Sequence, residues 1–480
     1  MSDLSLQAQL EHIEAGPSGP KVGAFFDLDG TIVAGYTAGA YYADRLQKGQ
    51  IGPREGARTA LMIADGLLGG DQGQAGETGI QQVRGMTAED LAEIGERLFG
   101  KRTARTIRPQ ARQLVAAHQR KGHTVVIASS ATHFQIDPIA RDLGVEDVLC
   151  TELEVEDGLL TGAVDGEMVW GQGKARAVRN FIRRNKLTRM ACYAYANGAE
   201  DVAFLSSVGR PHAVTPNPTL RRVAEGQGWP VVELEDPRTG GARAALGSFA
   251  ALGAMNVGMA AGLGLGLLRR DRQLGRDTAL TFGFRAYLAT AGVTLNVVGA
   301  LNLWAHRPAV FVFNHQSGLD AMIVCALLQE KFSGIGKKEV QYMPFLALTN
   351  YALETVFIDR GSPKAREQAK GLVDRLRAGK SVFVAPEGTR SPTPVLGPFK
   401  TGAFHAALDA GVPVVPIVVR NAYDLMPGDS KGIQPGAVDV AVLEPIASDG
   451  WKREEMRSVA ASVRQRFVDT MQDWPTGSGE

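Results

Sequence analysis

No sign of charge dominates this 480-residue chain, in which 52 Lys and Arg face 51 Asp and Glu. There is therefore no global field of the kind that draws a protein to nucleic acid, and no nucleic-acid partner is expected. Cysteine is scarce: Cys150, Cys192 and Cys325 stand far apart, with no C-x-x-C pair and no neighbouring histidine cluster. That pattern argues against a zinc site and against a secreted disulfide framework, which leaves a reducing compartment. Residues 1–20 hold no apolar run behind a basic start, so a flexible tail is expected there rather than a cleavable signal peptide. Glycine, by contrast, is abundant: 57 residues, clustered at 69–79 and through 253–266. The length exceeds one ordinary domain, and two or three are expected.

Apolar runs that suit buried strands occur at "KVGAFF" (21–26), "TVVIAS" (124–129) and "ACYAYA" (191–196), with helical patterns between them. The alternation restarts at "AVFVFN" (309–314), "ETVFID" (354–359), "SVFVAP" (381–386) and "VVPIVV" (414–419). Buried strands alternating with helices imply parallel sheets, and two α/β units account for both series.

Between the two series, residues 244–268 carry no charge. Such a helix is long enough to cross a bilayer core of roughly 30 Å. A second apolar stretch, 278–304, holds Arg285 in its first third, and a charge within a span costs about 2.5–3.5 kcal/mol. The second stretch therefore reads as an interfacial or protein-packed helix. Four arginines mark the joining loop "RRDRQLGRD" (269–277), and a transmembrane hairpin would place them outside, against the positive-inside rule. A monotopic arrangement is expected instead, with both helices embedded from the cytoplasmic face of the cell membrane and the arginines at anionic headgroups.

"FFDLDGTIV" (25–33) sets Asp27 and Asp29 just after a buried strand, at the carboxyl edge where open α/β sites form. One carboxylate can attack phosphorus while the other protonates the leaving oxygen and later activates water. "ASSAT" (128–132), "GQGKARAV" (171–178) and "ANGAED" (196–201) follow in order, each at a strand end or helix start. The set resembles the haloacid-dehalogenase-like phosphatases of the phosphoserine-phosphatase-like branch. The resemblance covers roughly 21–220 and implies a Rossmann-like domain with a helical cap at about 35–108. It would make Asp27 the nucleophile and Asp29 the general acid/base, with Ser130, or as second choice Ser129, and Lys174 on the phosphoryl group. Mg²⁺ would be held by Asp27, Asp29, Asn197 and Asp201. Two residues depart from that family's pattern. Asn197 stands where a metal-binding aspartate is usual, and Tyr36 stands where phosphoserine phosphatases carry an amine-recognising glutamate. A phosphoserine substrate is accordingly not carried over.

"FVFNHQSGLD" (311–320) gives His315 and Asp320 in H-x4-D spacing after another buried strand. Five residues of regular helix turn about 140° off-face, so the two meet only if His315 precedes the helix and Asp320 lies within it. The carboxylate would then fix the imidazole tautomer while the other ring nitrogen acts as a base. "VFIDRG" (356–361) with Arg360, "FVAPEGTRS" (383–391) and "PFKTGAF" (398–404) follow. In this order the blocks resemble the glycerolipid acyltransferases, above all the lysophosphatidate acyltransferases, over roughly 244–475. The resemblance implies that His315 deprotonates the hydroxyl of lysophosphatidic acid for attack on an acyl thioester of acyl-CoA or acyl-carrier protein. Arg360, Glu387, Gly388, Thr389 and Arg390 would bind the acceptor phosphate, and Lys337 and Lys338 are weaker additions.

The chain is thus expected to comprise a tail (1–20), a phosphatase domain (21–220), a linker (221–243), membrane-associating helices (244–304) and an acyltransferase domain (305–475). A bifunctional phospholipid-biosynthetic enzyme follows, with membrane lipids as its surroundings. The alternative is an acyltransferase whose first domain is an inactive binding or regulatory module.

Overall fold

The computed structural model describes residues 5–48, 79–237, 241–358, 365–428, 430 and 432–475. Two compact units divide the chain, Met1–Pro237 and Arg238–Glu480.

In the first unit, strands β1 (Gly23–Phe26), β2 (Thr124–Ala128), β3 (Asp147–Leu149), β6 (Tyr193–Ala196), β7 (Arg210–Val214) and β8 (Val231–Val232) form one sheet in the order β3-β2-β1-β6-β7-β8. Every pairing in it is parallel. A parallel sheet is covered on both faces, which is why its central strands read as unbroken apolar runs. Phe25 and Phe26 show the consequence: Phe25 packs with Val178, Phe181 and Phe204 on one face, Phe26 with Leu114, Ile136 and Ile139 on the other. A hairpin of β4 (Leu153–Glu156) and β5 (Leu159–Val164) stands apart from the sheet. Its Leu160 shares a small core with Tyr41, Val83, Leu91 and Leu98, contributed in part by helices Thr37–Gln47 and Ala88–Lys101. These helices occupy the stretch expected to form the cap; residues 49–78 of that stretch lie outside the described residues.

The expected tail needs correction. Residues Leu6–Ala15 form a helix whose Ser5 side chain caps Ala8 N. Ile13 is fully buried, and Gln9 Nε2 donates to Tyr195 Oη at 3.1 Å. The helix is amphipathic enough to seat on the sheet, which the lack of a signal-peptide pattern could not reveal.

Beneath that helix lies a chain of buried polar groups. His118 Nε2 is 2.8 Å from Tyr195 Oη, His118 Nδ1 is 2.7 Å from His123 Nδ1, and His123 Nε2 is 2.8 Å from the Pro17 carbonyl oxygen. The Pro17 carbonyl can only accept, so in the neutral network each proton is oriented: His123 Nε2 donates to it, and His118 Nδ1 donates to His123. His212 stacks on Tyr195 nearby. Burial pushes the His118 imidazole well down and that of His212 down to about 3. Because the folded values lie below the unfolded value of about 6.5, the unfolded chain binds protons that the native unit refuses. Stability present above that pH is therefore lost as pH falls toward 3, by about 1.4 kcal/mol per pH unit for each such histidine. Urea midpoints of the first unit should drop steeply between pH 6.5 and 4, and His212→Gln should flatten that dependence. An equal slope in the variant would show that other groups control acid unfolding.

The second unit carries a seven-stranded sheet, ordered β12-β11-β13-β10-β14-β15-β9. Its strands are β9 (Val293–Val298), β10 (Val310–Phe313), β11 (Phe332–Lys337), β12 (Val356–Ile358), β13 (Ser381–Val384), β14 (Val414–Val419) and β15 (Gly436–Val442). Only β14 and β15 pair antiparallel. Ahead of the sheet, helices Ala242–Arg269 and Arg272–Thr290 run back along each other. Their contact is backbone-close: a Cβ on Gly262 would sit 2.3 Å from Ala279 N, so glycine is what lets the pair approach. The first helix matches the uncharged stretch and is the one helix among the described residues long and apolar enough to cross a membrane.

The second apolar stretch, 278–304, is not a single helix. The helix ends at Thr290, Gly292 turns with φ +68°, and 293–298 becomes β9, paired along its length with β15. "VTLNVV" is β-branched at Val293, Thr294, Val297 and Val298, a composition that fits a pleated surface better than a helix. Exposed large apolar residues gather on the helical pair and on the segment before Tyr351: Leu246, Phe249, Val257, Leu267, Phe282 and Phe345 among them.

Candidate functional sites

In the first unit, β1 lies between β2 and β6, and the chain runs from β1 to β2 on one side and from β6 to β7 on the other. This is the switch point of an open parallel sheet, where a crevice opens at the carboxyl ends. Asp27 and Asp29 follow β1, Ser130 follows β2, and Asn197 and Asp201 follow β6. Lys174, buried in the first turn of helix Gly171–Arg184, donates from Nζ to Asp27 Oδ1 at 2.6 Å and to Asp201 Oδ1 at 2.7 Å. Burial alone would lower the Lys174 amine, but the Asp201 and Asp27 carboxylates outweigh it and hold its pKa above the usual range. Thr31 Oγ1 lies 3.0 Å from Asp27 Oδ2 and 3.2 Å from Asn197 Oδ1. Gly30 makes room for this: at φ +80°, a Cβ there would meet Asn197 Nδ2 at 2.1 Å. Asp27, Asn197 and Asp201 thus converge on Thr31 and Lys174.

Asp29 is held differently. Its Oδ1 accepts from Thr37 N at 2.7 Å and its Oδ2 from Thr37 Oγ1 at 3.2 Å, while Gln135 Nε2 donates to that same threonine oxygen at 3.1 Å. Both carboxylate oxygens are committed to Thr37, so the side chain is separate from the Asp27–Asn197–Asp201 set with which sequence reasoning grouped it. Burial pushes its carboxyl up to about 7, against the bonds from Thr37. A carboxyl poised near neutrality can give and take a proton at physiological pH. Of the two serines, Ser129 is buried and its Oγ accepts from Ala131 N, whereas Ser130 stays half-exposed at the strand end. Thr37 and Gln135 were missed by sequence reasoning, since no local spacing links either to the D-x-D turn.

The remaining Asp27, Asn197 and Asp201 donors are all oxygen, two of them buried carboxylates, a set that suits Mg²⁺. These residues fit the ion that the first unit's resemblance implies.

In the second unit, His315 lies just beyond β10 and Asp320 in the first turn of helix Leu319–Leu328, the arrangement H-x4-D needs. His315 Nδ1 is 3.3 Å from Asp320 Oδ2. That same oxygen accepts from Gln316 N and Ser317 N, each at 2.7 Å, so the turn itself aims the carboxylate at the ring. Asp320 is buried, while the ring of His315 keeps an open edge.

The E-G-T-R turn follows β13, the neighbour of β10, and grips the backbone on either side of the histidine. Glu387 Oε1 accepts from His315 N at 2.7 Å, and Ser391 N donates to His315 O at 2.8 Å. The other carboxylate oxygen of Glu387 accepts from Gly397 N at 2.9 Å. This changes the role expected of Glu387. A buried carboxylate with both oxygens bound to amides is a buttress for His315, and its charge would repel a phosphate. Arg390 reaches the same turn, since a Cβ on Gly318 would lie 3.5 Å from its Nη1. The Lys400 amine rests against Gly388, 2.6 Å from where a Cβ would stand, and Thr389 is exposed beside it. Arg360 lies outside the described residues.

Comparison with known proteins divides the chain as the folds do. Residues 24–206 match the family of haloacid dehalogenase-like hydrolases, and residues 294–420 match the acyltransferase family. Two relatives align over about the length of the first unit. The inhibition of morphological differentiation protein of Streptomyces azureus is 34% identical over 231 residues, 45% of this chain and 80% of its own length. A Mycobacterium tuberculosis protein named as a probable phosphatase is 32% identical over 251 residues, 49% of this chain and 84% of its own. The 1-acyl-sn-glycerol-3-phosphate acyltransferase of Saccharomyces cerevisiae is 34% identical over 189 residues, 38% of this chain. The match spans 61% of that relative's length.

Proposed function

Since the chain belongs to the haloacid dehalogenase-like hydrolases through its first unit and to the acyltransferases through its second, we propose that it is a bifunctional enzyme of phospholipid biosynthesis. Its second unit transfers an acyl group from acyl-CoA or acyl-carrier protein to lysophosphatidic acid, giving phosphatidic acid. Its first unit is a Mg²⁺-dependent phosphomonoesterase. The observation that carries the acyltransferase reading is the His315 ring, paired with buried Asp320 and clamped at both backbone ends by the E-G-T-R turn.

Asp320 accepts a hydrogen bond from Nδ1–H of His315, so Nε2 is left with a lone pair and takes the proton of the acceptor hydroxyl. The freed oxygen attacks the thioester carbonyl carbon, a tetrahedral oxyanion forms, and the carbon–sulfur bond breaks to release the thiol, protonated from His315. No covalent acyl-enzyme is required. Arg390 and Lys400 supply the positive charge suited to the acceptor phosphate, with Gly388 and Thr389 forming the turn between them. Arg360 joins this set by its position in the motif order.

In the first unit Asp27 attacks the phosphorus, and Asp29 protonates the departing oxygen, then deprotonates the water that resolves the aspartyl phosphate. Lys174 and Ser130 hold the phosphoryl oxygens. Asp27, Asn197 and Asp201 would hold Mg²⁺, which when bound offsets the phosphoryl charge.

The exposed apolar residues of helix Ala242–Arg269 and of Phe282 and Phe345 support docking on the membrane, and the arginines of 269–276 support an anionic, cytoplasmic face. In sealed vesicles carrying the protein outward, protease should reach both units. Protection of one unit alone would require a full crossing.

The test of the two activities is phosphate release from soluble and lipid phosphomonoesters, with and without Mg²⁺, beside acyl transfer by the same protein. Phosphate release that needs both Mg²⁺ and Asp27 supports the bifunctional reading. Acyl transfer without any such release would make the first unit a binding module, the reading that neutral Asn197 favours. Asn197→Asp restores a charged oxygen ligand, and Mg²⁺ affinity by calorimetric titration should rise about tenfold. Unchanged affinity would remove Asn197 from the metal site.

A further inference from the structure

A second cluster of ligand-type side chains lies in the first unit, away from the Asp27–Lys174–Asp201 set. Beyond the ends of β2 and β3 the chains remain zipped: Ser129 N donates to Leu149 O at 2.9 Å, and Thr151 N to Ala131 O at 3.1 Å. This pairing carries His133, the first residue of helix His133–Leu143, up to Cys150 and Glu152. One ligand atom from each of the three lies within 4.8 Å of the other two. His133 Nε2 is 3.1 Å from Glu152 Oε1, and Cys150 Sγ is 3.8 Å from the same oxygen. On the other side of the ring, His133 Nδ1 is 2.9 Å from Asp137 Oδ1, one helical turn along.

We propose that His133, Cys150 and Glu152 bind Zn²⁺, distinct from any Mg²⁺ held by the phosphatase set. The donor chemistry is the first argument. Imidazole, thiolate and carboxylate together suit a borderline-soft cation, whereas the all-oxygen set of Asp27, Asn197 and Asp201 suits a hard one. Size is the second argument. Zinc bonds of about 2.0–2.3 Å in a tetrahedron set ligand atoms about 3.3–3.8 Å apart, so the observed separations, 4.8 Å at most, need adjustments of no more than about 1.5 Å from side chains that have room to turn. His133 and Glu152 are exposed, and only Cys150 is buried.

The third argument is Asp137. A zinc-bound histidine typically gives its other N–H to a carboxylate, which fixes the tautomer and aims the free nitrogen at the metal. Asp137 stands where it accepts a hydrogen bond from Nδ1–H and leaves Nε2 facing Glu152. Binding replaces the proton on Nε2 and releases the Cys150 thiol proton to solvent. Three protein ligands leave a fourth position for water.

The test uses Co²⁺ as a spectroscopic stand-in for zinc on the full-length protein, with excess Mg²⁺ present to fill the oxygen site. One equivalent should give a thiolate-to-cobalt charge-transfer band that added Zn²⁺ bleaches. Cys150→Ser and, independently, His133→Gln should abolish the band, and Asp137→Asn should weaken Co²⁺ binding about 10–100-fold. Absence of the band in the unaltered protein overturns the site, leaving His133 as an ion-pair partner of Asp137 and Glu152. A band that survives Cys150→Ser, and so arises from Cys192 or Cys325, overturns it equally.

Discussion

His315→Ala should abolish acyl transfer to lysophosphatidic acid and leave phosphate release by the first unit unchanged. A positioned general base contributes about 10²–10⁴ in rate, and His315 has no substitute among the described residues of its turn: the side chains of its neighbours Gln316 and Ser317 are buried and bonded to Asn314, Pro394 and Met426. The loss should fall on kcat, because the imidazole acts on the hydroxyl only as its proton departs. Retained lysolipid binding serves as the control for folding of the second unit. Asp320→Asn is the informative companion. Its side chain can still accept from Gln316 N and Ser317 N, so the turn persists, but the neutral amide stabilises the imidazolium far less. It should retain lysolipid binding while lowering kcat by a smaller factor than His315→Ala. Wild-type turnover in His315→Ala would sink the dyad assignment.

Removing Asp27 should have the mirror-image effect. Asp27→Asn keeps the size of the side chain and an oxygen for Thr31, yet it removes the nucleophile; phosphate release should fall to the level of a protein-free control while acyl transfer continues. Lys174 retains Asp201 as a partner in this variant, so the unit should stay folded. Lys174→Met is different. It strands two buried carboxylates, Asp27 and Asp201, with no cation among the described side chains bonded to them. Breaking a buried ion pair from one side costs about 3–5 kcal/mol, so the first unit's urea midpoint should fall sharply, and raised Mg²⁺ should recover part of that loss by binding the carboxylates. A midpoint unmoved by Lys174→Met would mean that the pair adds nothing net to stability.

Much of both candidate sites was legible in the sequence. D-x-D-G-T, the lysine at a helix start and H-x4-D are short patterns whose meaning depends on a strand end close by in sequence, and apolar runs locate strand ends well. What misled was also local. The run 278–304 has Arg285 as its one charge, and hydropathy alone does not distinguish a helix followed by a strand from one long helix; Gly292 and the β-branched residues after it decided that. Residues 6–15 looked like a tail because a ten-residue helix draws its stability from tertiary packing, which here is supplied by Ile13 and by Gln9 on Tyr195.

By itself the sequence determined the two α/β units, the order of the motifs and the chemical type of each candidate site residue, because burial periodicity and strand-end placement are written in consecutive residues. Only the tertiary structure decided which groups act on one another. Glu387 buttresses His315 from 72 positions away, Thr37 and Gln135 hold Asp29, and His133 meets a cysteine that, in the sequence, stands apart from any histidine cluster. Each of these meetings depends on which strands lie side by side, and strand order is set by packing over the whole sheet rather than by the spacing along any one segment.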